Sequence, residues 1–349
     1  MDKSSQVVAV VGFYMLAALV MVFVNKMVLN ATPNLTVLFM FFQSFATVVL
    51  LTITSRFTAW VEISAIEYTV ARKLAPLILV DTAGFIFNAF CLRDIEAAFY
   101  QIARGLVLPL TILLVAISTS SRPSWSVIGC AAIVTSGFFI GVSFAGDIPA
   151  RAVPKPSGLF YGLLSSFSIA LHAVLVKFSL PHVNGSSTIL SFWSNLGSAV
   201  LLACLALFKG EVHEFLIMVS GRDAGVQWDW GTFVYGNIIT GIFGFLISIA
   251  GILSVKVTSP VTHMFSSAAR SVLQIVLGVK IFGDIVTTQR AASAFVILTG
   301  TLLYTYVKSR ESTPFDASAG TNSASPKDLE SQTRNMFIAQ EEEVNEKIS

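Results

Sequence analysis

Charged residues are scarce in this sequence, and their scarcity excludes an ordinary soluble domain. Only 12% of the 349 residues are charged, whereas soluble globular domains contain about 25%. The apolar residues instead form long blocks, such as the charge-free residues 7–24, 123–146 and 230–255. Blocks of about 18 or more apolar residues are long enough to cross a bilayer. The chain is therefore expected to be an integral membrane protein surrounded by lipid.

Cysteine is also scarce, and the common catalytic motifs are absent. Cys91, Cys130 and Cys204 lie in separate apolar stretches, and such an odd, scattered set gives no disulfide or metal framework. We interpret them as buried, small apolar residues. The sequence contains no phosphate-binding P-loop, no GxSxG, no HExxH and no paired cysteines with metal-ligand spacing. We therefore predict that the protein is not an enzyme and holds neither a cofactor nor a metal.

The apolar blocks predict an all-α membrane protein with ten transmembrane helices. Two charge-free stretches, 27–55 and 178–208, are too long for single helices, and we divide them at the turn signals "NATPN" and "PHVNGSS". The predicted spans are 7–29, 35–55, 74–93, 97–118, 124–145, 157–179, 187–208, 232–253, 258–280 and 288–308.

The C-terminal tail differs in charge from the rest of the chain. Residues 1–310 contain 19 Lys and Arg against 12 Asp and Glu, while residues 311–349 contain three against eight. The tail is rich in Ser, Glu and Asn, a composition that predicts a disordered acidic segment in the cytosol. We therefore divide the chain into a ten-helix membrane domain, 1–310, and a disordered tail, 311–349.

The two halves of the membrane domain repeat each other in short matches. "FYQIARG" matches "FSSAARS" and aligns Arg104 with Arg270. "VFVNKMVL" matches "AVLVKFSL" and aligns Lys26 with Lys177. The offsets of the two matches, 166 and 151 residues, differ as a longer loop between the seventh and eighth spans would require.

Two repeats of five spans each, about 7–145 and 157–308, have a topological consequence. Because five is odd, the second repeat enters the membrane from the opposite side, and the halves become inverted repeats. This plan is typical of secondary transporters, in which the substrate site lies near the membrane midplane between the repeats. Lys26 and Lys177 would then lie toward opposite membrane faces.

An arginine inside a membrane helix needs a compensating partner, because its insertion costs about 2.5–3.5 kcal/mol. One interpretation is structural: an ion pair of Arg104 with Glu96, or of Arg270 with Asp81 or Asp284. The other is functional: an anionic substrate, since the planar guanidinium fork binds phosphate through two hydrogen bonds. The sequence leaves both interpretations open.

Other polar and aromatic residues in apolar spans are candidate substrate contacts. Lys26, Lys177 and Lys256 lie at span ends, where they would either extend to the lipid headgroups or contact phosphate. An amide or hydroxyl in such a span needs a partner, which is either another helix or a substrate. The remaining candidates are Asn88, Tyr100, Phe192, Trp193, Ser194, Asn195 and His263.

Several of these segments resemble a known family. "MVFVNKMVL", "FNAFCLRDIEAAFYQIARGL", "SFWSNLGSA" and "KVTSPVTHMFSSAARSVLQ" are similar to the nucleotide-sugar transporters of the drug/metabolite transporter superfamily, which includes the triose-phosphate translocators. The GDP-fucose transporter branch is the most similar, and the resemblance covers residues 10–310. It implies ten helices, cytosolic termini, a Golgi membrane (or the endoplasmic reticulum), and exchange of a cytosolic nucleotide sugar for lumenal nucleoside monophosphate.

The resemblance also assigns roles to particular residues. A Phe-Tyr-Asn-Asn motif on the seventh span contacts the base in that branch, and here those positions read Phe192, Trp193, Ser194 and Asn195. A motif on the ninth span ends in a sugar- and phosphate-binding lysine, and here Arg270 stands at or near that position. A UDP-sugar transporter, for UDP-xylose or UDP-galactose, and a sugar-phosphate exchanger stay open as alternatives. No nucleic acid is expected as a partner, and the oligomeric state is left open between a monomer and a homodimer.

Overall fold

The computed structural model describes residues 3–58, 63–143, 154–220, 229–257 and 260–311, with backbone alone for 3–10, 249–257 and 260–267. These residues form helices and contain no strand. The helices are α1 (Lys3–Ala31), α2 (Thr36–Phe57), α3 (Tyr68–Asp94), α4 (Ala97–Ala103), α5 (Val107–Ser118), α6 (Trp125–Val142), α7 (Pro156–Ser179), α8 (Ser187–Phe208), α9 (Glu211–Ser220), α10 (Trp230–Val257), α11 (Pro260–Phe282) and α12 (Thr288–Glu311).

The all-helical membrane architecture agrees with the sequence prediction. Among the described residues, nine helical segments are long and apolar enough to cross a membrane. The helix α11, which carries Arg270, has described side chains only for residues 268–282 and is not counted among those nine, so the count of ten spans stays a prediction. The packing described below lies within residues 1–308, the first of two units, and the second unit begins at Ser309.

The two turns predicted inside long apolar stretches are confirmed. The first is a 3-10 turn, Pro33–Leu35, between α1 and α2. The second joins α7 to α8, and there Asn184 and Gly185 both have positive φ angles, 55° and 71°. Such a left-handed backbone favours Asn and Gly, which explains why "NG" marked the turn in the sequence.

The fourth predicted span, 97–118, is broken in its middle. The helix α4 ends at Ala103 and α5 begins at Val107, so that Arg104 lies at the break. Pro109 accounts for the position of the break, since a proline ring clashes with the carbonyl four residues earlier, here that of Gly105. Helices that are discontinuous within the membrane are typical of transporter binding sites.

Helix pairs from the two halves of the chain form much of the packing. The helix α1 packs against α10, α3 against α7, α2 against α8, and α4 against α11. The approach of α3 to α7 is close, because a Cβ atom added at Gly84 would lie 2.9 Å from the Cβ of Ser168. Small residues at helix contacts are a general feature of membrane packing.

One end of the bundle is closed by polar and aromatic contacts that involve five helices. Lys26 of α1 donates from Nζ to the carbonyl oxygens of Leu92 (2.7 Å) and Ile95 (2.6 Å) at the end of α3. Glu96, which precedes α4, pairs with Arg290 of α12. The ring of Phe23 in α1 stacks on that of Phe282 in α11 at 5.9 Å. We call this end the Lys26 face.

Asp284 completes the Lys26 face from the connection between α11 and α12. Its carboxylate accepts the backbone N–H of Ala98 in α4 at 2.8 Å. Burial raises the pKa of the Asp284 carboxyl above its ordinary value. The contact satisfies a backbone donor in the first turn of α4, where an N–H has no partner within the helix.

Candidate functional site

A cavity of about 340 Å³ lies between helices of the two halves. The first half contributes α2, α3 and the break after α4, and the second half contributes α7 and α8. The residues that line it are Ser44, Val80, Asp81, Gly84, Phe85, Asn88, Arg104, Ser168, Ile169, His172, Ser194, Asn195 and Ser198. A pocket of this size with a few converging polar groups is typical of a small-molecule binding site.

Arg104 is placed in the cavity by the break between α4 and α5. Its Nη1 donates to the hydroxyl of Tyr100 at 2.9 Å, and its guanidinium lies 5.1 Å from the centre of the Tyr100 ring. Its Nε is buried and has no hydrogen-bond partner among the described residues. Glu96, the carboxylate considered from the sequence, pairs with Arg290 instead. Among the described residues, the Arg104 guanidinium is therefore held by a phenol and not by a carboxylate.

Arg270 belongs to the same electrostatic environment. It interacts electrostatically with Arg104, Tyr100 and Tyr14, although it does not line the cavity. Its Nε is also buried without a hydrogen-bond partner in the part of the chain that the structure describes. Within those residues, Asp81 pairs with His172 and Asp284 accepts a backbone N–H, so neither forms the ion pair with Arg270 that we considered.

Asp81 connects three helices at the cavity wall. Its Oδ1 contacts Nδ1 of His172 on α7, and its Oδ2 accepts the hydroxyl proton of Ser194 on α8. The Asp81 side chain is 19% exposed, and that of His172 is 46% exposed. The cavity therefore contains a carboxylate as well as a guanidinium.

The predicted contacts Asn88, Tyr100, Ser194 and Asn195 surround the cavity or its arginine. Asn88, Ser194 and Asn195 line the cavity. Tyr100 is fully buried and donates its hydroxyl proton to Asn88, while it accepts from Arg104. Asn195 donates from Nδ2 to the carbonyl of Ser191 at 2.8 Å. These four residues are brought together with Arg104.

Phe192 and Trp193 lie beside the cavity and do not line it. Phe192 is buried against Val48 and Leu51 of α2. The indole of Trp193 donates from Nε1 to the carbonyl of Ser64 at 3.1 Å, and its ring packs edge-on against Phe192 at 5.5 Å. Both aromatic rings pack against protein and neither lines the cavity, whereas Ser194, Asn195 and Ser198 of α8 do.

Of the predicted lysines, Lys26 and Lys177 have described side chains, and neither lines the cavity. Lys26 is 7% exposed, and its Nζ contacts three carbonyl oxygens, those of Leu92, Arg93 and Ile95. Lys177 is exposed near the end of α7. Lys256 and His263 lie in helices α10 and α11, and their side chains fall outside the described residues.

A family model matches nearly the whole membrane domain. The Triose-phosphate Transporter family model matches residues 5–305. The chain belongs to the Triose-phosphate Transporter family. This membership agrees with the multi-pass helical structure and with the resemblance found in the sequence.

Relatives that resemble this chain include named nucleotide-sugar transporters. GDP-fucose transporter 1 of Dictyostelium discoideum is 30% identical over 86% of this chain and 80% of its own length. The GDP-fucose transporter of Caenorhabditis elegans is 29% identical over 88% of this chain and 84% of its own length. UDP-galactose/UDP-glucose transporter 7 of Arabidopsis thaliana is 24% identical over 88% of this chain and 92% of its own length.

A solved structure shares the fold at low sequence identity. This crystal structure of a protein matches with a TM-score of 0.53 at 14% identity. The match covers 88% of this chain and 99% of that chain.

Two ionisable cavity residues were not among the predicted site residues. Asp81 is predicted from the sequence only as an ion-pair partner of Arg270, and His172 is not predicted. Both lie within predicted spans, 74–93 and 157–179, and ionisable residues there are functional candidates by default. The spacing of Asp81 and Asn88, seven residues, also places them on one side of α3.

Proposed function

We propose that this protein is a Golgi nucleotide-sugar antiporter, with GDP-fucose as the first candidate substrate. It would exchange the cytosolic nucleotide sugar for a lumenal nucleoside monophosphate by alternating access. The observation that carries the proposal is the position of Arg104, which lies on a cavity between the two halves without a carboxylate partner among the described residues. The GDP-fucose transporters among its relatives suggest the substrate.

In this proposal the two arginines bind phosphate and the amides bind the nucleoside. Arg104 and Arg270 are electrostatic neighbours, and a diphosphate between them would offset the cost of both charges. Asn88, Ser194 and Asn195 line the cavity and would contact ribose or base. Tyr100 would hold the Arg104 guanidinium in position through its 2.9 Å hydrogen bond.

Exchange, in contrast to one-way transport, follows from the same charges. An empty cavity leaves buried cations without a counter-ion, and an unpaired buried charge is costly. Closing the cavity around two bare arginines is therefore disfavoured, whereas an anionic substrate or product lowers that cost. The protein would change conformation mainly when loaded, so that inward and outward transport become coupled.

The packing pattern supports ten spans arranged as two inverted five-helix repeats. In the proposed correspondence α1 is equivalent to α7, α2 to α8, α3 to α10 and α4 to α11. The observed contact of α1 with α10 then maps onto the contact of α7 with α3, and the α2–α8 and α4–α11 contacts map onto themselves. A bundle whose contacts interchange in this way is what two related halves would form.

Exchange in proteoliposomes tests the proposed function. Vesicles that contain purified protein and internal GMP are expected to accumulate labelled GDP-fucose, and vesicles without internal nucleotide are expected to accumulate much less. Uptake of UDP-galactose or UDP-xylose against internal UMP would favour the alternative substrate that the Arabidopsis relative suggests. Exchange of triose phosphate for phosphate alone would favour a sugar-phosphate exchanger. If none of these substrates exchanges, the protein is not an antiporter of this class.

Asn195 and Trp193 provide a matched test of nucleoside recognition. Because Asn195 lines the cavity and Trp193 packs against Phe192, Asn195→Ala is expected to weaken competition by nucleoside monophosphates by about 5-fold or more, the effect of about one lost hydrogen bond. Trp193→Phe keeps an aromatic ring and is expected to change competition less than twofold. A larger effect of Trp193→Phe than of Asn195→Ala would indicate that the aromatic residues, and not Asn195, recognise the base.

The inverted repeat can be tested with cysteines at positions 26 and 177. These positions are equivalent in the repeat, and inversion places them toward opposite membrane faces. With a cytosolic N-terminus, Lys177→Cys in sealed Golgi vesicles should react with an impermeant thiol reagent from outside. Lys26→Cys should react only after permeabilisation. The background must lack Cys91, Cys130 and Cys204, and labelling of both positions from the same side would contradict inversion.

A further inference from the structure

Asp81 is an unexpected residue in a cavity that would bind an anionic substrate. It lies near the middle of α3, and a carboxylate within a membrane helix costs about 2.5–3.5 kcal/mol. Like charge would also repel the phosphates of a nucleotide. A purely structural link between α3, α7 and α8 could be made by a neutral amide at lower cost. The charge of Asp81 therefore indicates that its carboxylate contacts a ligand in the cavity.

The carboxylate of Asp81 retains hydrogen-bonding capacity after its protein contacts are counted. An ionised carboxylate offers about four lone-pair sites. Protein groups use one on each oxygen, through Nδ1 of His172 and the hydroxyl of Ser194. Asp81 also lines the cavity. Each of its oxygens can accept one more hydrogen bond from a ligand.

The cavity has an acidic end and a basic end. Asp81 and Asn88 are seven residues apart on α3, which separates them by about 10 Å along the helix axis. Asn88 contacts Tyr100, and Tyr100 contacts Arg104. A ligand that matches both ends carries negative charge at one end and hydrogen-bond donors at the other. A nucleotide bound with its phosphates at Arg104 would direct its base toward Asp81.

The bases differ in what they offer to a carboxylate. Guanine presents two adjacent donors, N1–H and the N2 amino group, which match the two oxygens of a carboxylate. Uracil presents a single N–H between two carbonyl acceptors, which a carboxylate repels. Adenine and cytosine each place an amino group beside a ring-nitrogen acceptor. Only guanine pairs both of its adjacent groups favourably with an ionised carboxylate, and the repulsion of the others adds to selectivity.

We propose that Asp81 is a specificity-determining residue that binds the N1–H and N2 amino edge of a guanine nucleotide through both carboxylate oxygens. This inference rests on the proposed nucleotide-sugar function. It places the residue that selects the base on α3, which faces the "FWSN" segment of α8. His172 and Ser194 hold the carboxylate in orientation from α7 and α8.

Base analogues test the proposal through binding to the purified protein. Wild-type protein is expected to be thermally stabilised by GMP at concentrations about 10- to 100-fold lower than those required for IMP, which lacks the amino group, or for UMP. Asp81→Asn replaces one acceptor by a donor. It should lose the preference for GMP and gain stabilisation by xanthosine monophosphate, whose C2 carbonyl accepts from the new amide. A residue with only a structural role would not produce this gain.

Asp94→Asn is the matched control, because Asp94 lies on the same helix but outside the cavity, in contact with Arg93 and Ser157. It should keep the wild-type order of ligands. If Asp81→Asn does not fold, the comparison of GMP with IMP on wild-type protein still tests whether the guanine amino group is recognised. Equal stabilisation by GMP and IMP, or an Asp81→Asn variant with unchanged GMP preference, would overturn the role of Asp81. Stabilisation of wild-type protein by no nucleotide at all would overturn the proposed function itself.

Discussion

Arg104→Ala is expected to reduce nucleotide-sugar exchange by about 30-fold or more while the protein still inserts and folds. Arg104 lies on the cavity, and its buried Nε has no hydrogen-bond partner among the described residues. Loss of a buried charge that pairs with a ligand costs about 2–5 kcal/mol, which corresponds to this loss of rate. Arg270→Ala should have a similar effect, because both arginines are proposed to bind the phosphates and the buried Nε of Arg270 also has no hydrogen-bond partner among the described residues.

Conservative and distant substitutions distinguish a phosphate contact from a structural role. Arg104→Lys keeps the charge but loses the planar fork, so we expect intermediate exchange and a weaker dependence on the second phosphate. Arg122→Ala, in the exposed connection between α5 and α6, should leave the rate unchanged. Initial exchange rates in proteoliposomes, normalised to the amount of folded protein, give the comparison. Exchange above about half the wild-type rate for Arg104→Ala or Arg270→Ala would show that the arginine in question does not bind substrate.

The membrane helices and Arg104 were predictable because their signals are local. Long apolar blocks define helices that must satisfy their own backbone hydrogen bonds in lipid. An arginine within a membrane helix is costly, so Arg104 can be named as a candidate site residue even when its neighbours in the fold are unknown. The break in the fourth span was also predictable, since Pro109 prevents a continuous helix through Gly105. The prediction of a single helix over 97–118 is therefore wrong at this proline.

Other features depend on contacts between distant segments and could not be read from the sequence. Nothing local indicates that Asp81 meets His172 and Ser194, which lie 91 and 113 residues away. The packing of Trp193 against Phe192 likewise depends on how α8 is rotated against α2. The short helix α9 lies between the seventh and eighth predicted spans, where the sequence predicts only a longer loop. Its Glu211 accepts the backbone N–H of Leu38 at 2.8 Å, a pairing that only the fold reveals.

Lys26 and Lys177 show how equivalent residues can differ in one conformation. The sequence aligns them, yet Lys26 is buried on three carbonyl oxygens whereas Lys177 is exposed. The last carbonyls of a helix have no partner within it, and a lysine ammonium has three donors to offer. Lys26 therefore binds the end of α3 to α1 and stabilises closure of the Lys26 face. In an inverted repeat, the opposite conformation would release Lys26 and engage Lys177.

Lys26→Met is expected to destabilise this conformation and to slow exchange strongly. The substitution leaves buried carbonyl oxygens of Leu92 and Ile95 without a donor, at a cost of about 1–3 kcal/mol for each. Cys91, which is fully buried beside these residues, reports the result. In a background without Cys130 and Cys204, Cys91 should react with a thiol reagent much faster in Lys26→Met than in the parent protein, and the melting temperature should fall.

Lys177→Met is the matched comparison, since it removes the equivalent charge from an exposed position. It should leave Cys91 protected and the melting temperature nearly unchanged, yet slow exchange by disfavouring the opposite conformation. Lys26→Arg, which retains charge and donors, should restore much of the protection of Cys91. This result would show that Cys91 is exposed in Lys26→Met because hydrogen bonds are lost, and not because of a general packing defect. If Cys91 stays protected in Lys26→Met while exchange continues at the parent rate, the lysine does not hold this face closed, and closure must rest on Glu96 with Arg290 and on the ring contact of Phe23 with Phe282.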